Sequence, residues 1–139
     1  MSPQPERDVL IVDDDEAIRT MMKVALERLG LRCGIAADGL DALDQMKVTK
    51  YAVILLDLMM PRLDGLGVIS HLGAEQGERP IVIIMTAFPE RDHPALDGTL
   101  IQAVVRKPFD LHELAGILHG CVIGRRNAPR ASLRSSQNP

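Results

Sequence analysis

Residues 52–65 read Ala52-Val-Ile-Leu-Leu-Asp57-Leu-Met-Met-Pro61-Arg-Leu-Asp-Gly65. The first five are apolar without alternation, the pattern of a strand covered on both faces. The run then stops at a carboxylate, Asp57. Working outward, four more short apolar runs appear: Val9–Val12, Cys33–Ala37, Ile81–Met85 and Ala103–Arg106.

Helix-like stretches lie between the runs. Ile18, Met21, Met22, Ala25, Leu26 and Leu29 recur at spacings of three and four, with Arg19, Lys23 and Arg28 largely off that stripe. Gly30 then offers a C-terminal stop. Leu40, Leu43 and Met46 mark a second helix, and Leu66, Ile69 and Leu72 a third. The last helix starts at Asp110 with Glu113 in the capping-box position, and Leu111, Leu114, Ile117 and Leu118 are its expected buried face. Residues 89–98 should hold a further helix, but they contain Pro94 and Gly98 and a thin apolar face. A short or mobile helix is expected there.

Strands alternating with helices over short connections imply βαβ units and a parallel sheet. The expected fold is α/β, a doubly wound five-stranded parallel sheet of flavodoxin-like order 2-1-3-4-5 with helices on both faces. The 139 residues suffice for one domain with a core, not comfortably for two. Residues 1–7 are expected as a disordered tail, 8–120 as the domain and 121–139 as a basic, disordered tail.

Hydrophobic content of 46% and charged content of 25% are ordinary for a soluble globular chain. No apolar run approaches the roughly 20 residues that cross a bilayer, and the polar, proline-bearing start does not resemble a secretory signal. A cytoplasmic location is expected. The net charge of −3 is uneven: all 19 acidic residues and twelve of the 16 basic ones precede residue 124. Residues 1–123 therefore carry −7 and residues 124–139 carry +4. The basic end has no aromatic to stack on a base, so nucleic acid is not an expected partner. Cys33 and Cys121 lack paired spacing and read as small, packed thiols. His71, His93, His112 and His119 sit in no supporting motif and read as surface residues.

Doubly wound sheets bind ligands outside the carboxyl ends of their strands. Here strand one ends in Asp13-Asp14-Asp15, strand three in Asp57, strand four in Thr86, and strand five runs into Arg106-Lys107-Pro108. Acidic residues after a strand often serve only as helix caps, and Asp15 or Glu16 is expected in that role. Taken singly, Thr86 and Lys107 also have bland explanations, a hydroxyl satisfied by backbone and a surface counter-ion. Their coincidence at four strand ends favours chemistry. Crowded carboxylates repel one another, and a divalent cation relieves that repulsion. Such hard oxygen donors suit Mg²⁺. A carboxylate can also be the nucleophile in phosphoryl transfer, with metal and ammonium neutralising the transferring oxygens.

Four stretches together, Leu10–Glu16, Val53–Gly65, Ile83–Ala87 and Val105–Phe109, resemble the response-regulator receiver family of two-component signalling. The resemblance covers roughly residues 8–120. It implies that Asp57 is the phosphoacceptor and that Asp13, Asp14 and Asp57, with the backbone carbonyl of Met59, hold Mg²⁺. Asp14 would be the direct ligand and Asp13 would act through water. It further implies that Thr86 contacts the phosphoryl group, that Lys107 pairs with it, that Lys107–Pro108 is a cis peptide, and that Asp64-Gly65 turns into the third helix. The implied donor is a histidine kinase or histidine phosphotransferase. The implied output is a downstream protein, with phosphorylation-dependent dimerisation a further expectation and no membrane partner.

One position departs from the family. Three residues before the lysine, where a switch Tyr or Phe is usual, stands Val104. A valine cannot swing inward in that way, so an atypical output face is expected. In the family that the chain resembles, the positions two residues beyond the phosphoacceptor and the threonine flank the path of the attacking water; here they are the apolar Met59 and Phe88, which implies slow loss of the phosphoryl group. Two other functions are weighed: a receiver that binds partners without phosphate, and an aspartyl phosphatase of the haloacid-dehalogenase type. The second finds the Asp13/Asp15 spacing it needs, but it finds Ala17 in place of the usual Thr or Val and leaves Asp57–Gly65 unexplained.

Overall fold

The computed structural model describes residues 6–60, 62–74, 79–88 and 101–127. Five strands form one parallel sheet: β1 (Glu6–Val12), β2 (Cys33–Ala36), β3 (Lys50–Asp57), β4 (Ile81–Thr86) and β5 (Ile101–Arg106). Their order is β2-β1-β3-β4-β5, as expected. Four helices are described: α1 (Glu16–Arg28), α2 (Gly39–Val48), α3 (Gly65–Ala74) and α4 (Leu111–Asn127). The helix expected over residues 89–98 falls outside the described residues.

The sheet divides the core in two because successive strand residues point to opposite faces. Val9, Ile11, Val53, Leu55, Ile83 and Met85 meet Met22 and Leu26 of α1 and Leu114, Leu118 and Val122 of α4. Leu10, Val12, Ile54, Leu56, Val82 and Ile84 meet Ala42 of α2 and Val68, Ile69 and Leu72 of α3. Both faces are covered, which explains why β1, β3 and β4 read as unbroken apolar runs.

Side-chain caps start each helix. Asp15 accepts from the Ala17 and Ile18 N–H groups, Asp38 from Asp41, Asp64 from Gly67 and Asp110 from Glu113. Helix α1 ends in a Schellman motif: Gly30 N–H donates to the Glu27 carbonyl and Leu31 N–H to that of Leu26. Gly30 has φ 83, so only a residue tolerant of the left-handed region fits.

The observed buried faces differ in part from the expected ones. Met21, Leu29, Leu40, Leu66 and Ile117 are 40–50% exposed. Ala42, Val68, Ala115 and Val122 are buried instead. The last helix runs to Asn127 rather than stopping near 120. Val122 is completely buried, and Arg126 pairs with Asp8 of β1 at 2.5 Å, so this turn belongs to the packed unit. At the other end, β1 pairs with β3 from Glu6, two residues before the expected start.

Candidate metal and phosphoryl site

Sheet register brings the chemistry to one rim. Val12 is level with Leu56, Asp57 with Met85, and Thr86 with Arg106. The residues that follow each strand therefore emerge side by side. Asp13, Asp57 and Thr86 are the buried polar residues here, at 0%, 3% and 1% exposure, and Asp14 is exposed. Single carboxylate oxygens of Asp13, Asp14 and Asp57 all lie within 4.8 Å of one another.

Lys107 closes the cluster. Its Nζ donates to Asp13 Oδ2 at 2.9 Å and stands 3.2 Å from Asp57 Oδ2. The lysine is placed from the backbone: its N–H donates to the Thr86 carbonyl at 2.8 Å, and the Lys107–Pro108 peptide is cis, as expected. Asp13 Oδ1 accepts the Asp15 N–H, and the Asp13 carbonyl accepts from Arg19 Nη1, both at 2.8 Å. Arg19 read only as a polar residue off the α1 stripe, so this support was not foreseen.

Asp57 Oδ1 accepts the Met59 N–H at 3.2 Å. The Met59 side chain is 64% exposed. Thr86 Oγ1 accepts the Phe88 N–H at 3.1 Å. Phe88 is half exposed.

The electrostatics are unbalanced in one direction. Burial raises the Asp57 pKa, the nearby Asp13 charge raises it further, and the Met59 N–H and Lys107 only partly offset this; the net shift is upward. Burial pulls the Lys107 pKa down, but its hydrogen bond to Asp13 and the charges of Asp57 and Asp13 more than reverse that. Three carboxylates face one ammonium. The donor set is hard oxygen with excess negative charge, and it fits a divalent cation of the Mg²⁺ kind.

Cys33 is buried and its thiol is pushed up to about 12, chiefly by burial, which leaves it inert. His71 Nδ1 lies 2.9 Å from the Gly67 carbonyl. His93 is outside the described residues. Val104 is half-buried on the α2/α3 face of the sheet. No helix among the described residues is long and apolar enough to cross a membrane.

Comparison with known proteins agrees with this geometry. Residues 9–119 match the response regulator receiver domain. The chain is 32% identical over 127 residues to response regulator MprA of Mycobacterium bovis (strain BCG / Pasteur 1173P2), which covers 91% of this chain and 54% of that protein. MprA of Mycobacterium sp. (strain KMS) is 32% identical over 121 residues, covering 87% and 52%. The chain thus spans about half the length of the curated relatives it matches. Among solved structures, the receiver domain protein (CheY-like) of Methanospirillum hungatei JF-1 superposes with a TM-score of 0.72 at 30% identity, covering 87% of this chain and 98% of that one. The receiver domain of the Francisella response regulator 1452 gives 0.71 at 32% identity, covering 82% and 97%. Residue motifs, strand order and the match over most of the domain make this chain a member of the response regulator receiver domain family.

Proposed function

We propose that this receiver is a phosphorylation switch that takes a phosphoryl group onto Asp57 from a phosphohistidine of a histidine kinase or phosphotransferase. Membership of the family makes it a signalling module rather than a classical enzyme, and leaves the phosphatase alternative without support. The observation that carries the proposal is the joint placement of Asp57 and Asp13, both buried, around the Lys107 ammonium.

An Asp57 carboxylate oxygen attacks phosphorus, the P–N bond to the donor imidazole breaks, and the imidazole leaves neutral after taking a proton. Asp13, Asp14, Asp57 and the Met59 carbonyl would hold Mg²⁺, which supplies positive charge to the transferring oxygens. Lys107 neutralises the same oxygens from the β5 side, starting from its 3.2 Å position beside Asp57. Thr86, whose Oγ1 accepts the Phe88 N–H, is the hydroxyl that would contact a phosphoryl oxygen. The added charge and these two contacts bias the surface around β4 and β5 toward an output partner, or toward a second copy of the chain.

Val104 supports a second reading, a receiver that engages partners without phosphate, because the usual aromatic relay is missing at that position. One experiment separates the two. The protein is incubated with a phosphohistidine donor, with Mg²⁺ or with EDTA, and bound label is followed. The switch reading requires Mg²⁺-dependent label that hydroxylamine removes, as an acyl phosphate demands. A chain that stays unlabelled while its donor is discharged by another receiver would leave only the second reading.

A further inference from the structure

The loop that follows Asp57 is held by a contact remote from the carboxylates. Its base is closed by Gly65 N–H donating to the Leu58 carbonyl at 3.2 Å. Its far side reaches α2. Leu63 O accepts the Gly39 N–H at 2.9 Å, and a Cβ on Gly39 would come within 2.2 Å of that oxygen, so the two backbones meet where only glycine fits. Beside this contact, Arg62 grips Asp38 with two prongs: Nη2 to Oδ1 at 2.9 Å and Nε to Oδ2 at 2.8 Å. The Asp38 side chain is only 13% exposed and also caps α2 through the Asp41 N–H.

Arg62 is the one non-glycine among the described residues with positive φ, at 64. An arginine in that region is strained, and such outliers persist where surrounding contacts over-determine them. The two-pronged pair supplies that restraint. The charges of Asp41 and Asp44 on the same helix add longer-range attraction.

We propose that Arg62 is a positioning residue for the Asp57 site: by latching the loop to the first turn of α2 it holds the Met59 backbone, whose N–H meets Asp57 Oδ1, in the arrangement that binds the cation. This rests on the proposed function above. The latch couples the α2 end to the phosphoryl site, since displacing Arg62 from Asp38 loosens the loop that carries Met59.

Arg62→Gly keeps the backbone comfortable and removes the guanidinium. Arg62→Asn does the same with a stiffer residue that also tolerates this region. Asp38→Asn keeps an oxygen for the Asp41 N–H and removes the charge. Amide exchange is read in the metal-free protein, and Mg²⁺ affinity is read by calorimetric titration with the metal alone. Exposed pairs shift equilibria only modestly, so each variant should exchange about threefold faster at Met59 and Gly39 and bind Mg²⁺ about threefold more weakly. Exchange at Val53–Leu56 should be unchanged, and the Arg62→Gly/Asp38→Asn double variant should be no worse than either single one. Wild-type exchange at Met59 and Gly39 in the Arg62 variants, or faster exchange with undiminished Mg²⁺ affinity, would overturn the proposal. If wild type takes up no Mg²⁺, the functional reading fails, and the exchange comparison alone then decides the latch.

Discussion

Replacing Asp57 with asparagine should make the metal-free domain more stable at neutral pH. The buried carboxylate sits among like charges, and the variant removes one charge while keeping an oxygen for the Met59 N–H. At an effective dielectric constant of about 20, like charges within 4.8 Å repel by about 3.5 kcal/mol per pair, and Lys107 at 3.2 Å attracts by about 5 kcal/mol. Asp13 counts nearly in full, while water screens part of the share of the exposed Asp14. Lost hydration of the 3% exposed Asp57 adds to the repulsive side. The balance favours the variant by about 1–2 kcal/mol, or about 4 °C in melting temperature per kcal/mol for a domain of this size. Because the folded pKa of Asp57 lies above 3.8, the gain is full above that folded value. It fades as pH falls through it and is lost below 3.8, where the carboxylate is protonated in both states. Mg²⁺ at ten times its dissociation constant stabilises wild type by about 1.4 kcal/mol, which closes or reverses the gap. Urea and thermal melts followed by circular dichroism, in EDTA and then in Mg²⁺, measure both effects. An Asp57→Asn variant less stable than wild type in EDTA at neutral pH would mean instead that the Lys107 attraction outweighs the crowding of like charges.

Asp8→Asn should cost about 1–2 kcal/mol, because Arg126 and the Arg32 backbone N–H lose a charged acceptor, tempered by the exposure of both arginines. Burial opposes but these bonds lower the folded Asp8 pKa below 3.8, so urea melts should show the deficit above about pH 4 and lose it as pH falls through that folded value. Lys107→Met should destabilise the metal-free protein by about 2 kcal/mol, below the full range for a broken buried pair because Lys107 is 21% exposed. Mg²⁺ should restore part of that loss in a thermal melt. Ending the chain after Gly120 should cost about 3 kcal/mol through the lost Val122 packing and Arg126–Asp8 pair; a melt unchanged by the truncation would put the last turn outside the domain. Phosphate release from the labelled protein should be slow, since Met59 and Phe88 offer no group to orient water. Turnover within seconds would contradict it.

The rim of the site was legible because each of its residues ends a strand. Asp13, Asp57, Thr86 and Lys107 are marked by apolar runs, and parallel register does the rest. Helix faces were less legible. Ala42 and Ala115 are too small to register as core residues, whereas Leu40, Leu66 and Ile117 look like core and lie half outside. The end of α4 was hidden because Gly116, Gly120 and Gly124 dilute its apolar pattern, and Val122 gains its meaning only from packing on the sheet. The pairs Arg62–Asp38 and Arg126–Asp8 join residues 24 and 118 positions apart, a distance at which spacing carries no signal. Arg19 is of the same kind: its role is a bond to a backbone carbonyl, which any residue type offers.

Reductive trapping identifies the phosphorylated side chain itself. Protein labelled by a phosphohistidine donor in Mg²⁺ is treated with borohydride, which reduces an aspartyl phosphate to homoserine, and the peptides are sequenced by mass spectrometry. Homoserine should appear at position 57 alone, dependent on Mg²⁺ and absent from Asp57→Asn. Homoserine at Asp13 or Asp14, or label that survives in Asp57→Asn, would contradict the assignment of Asp57.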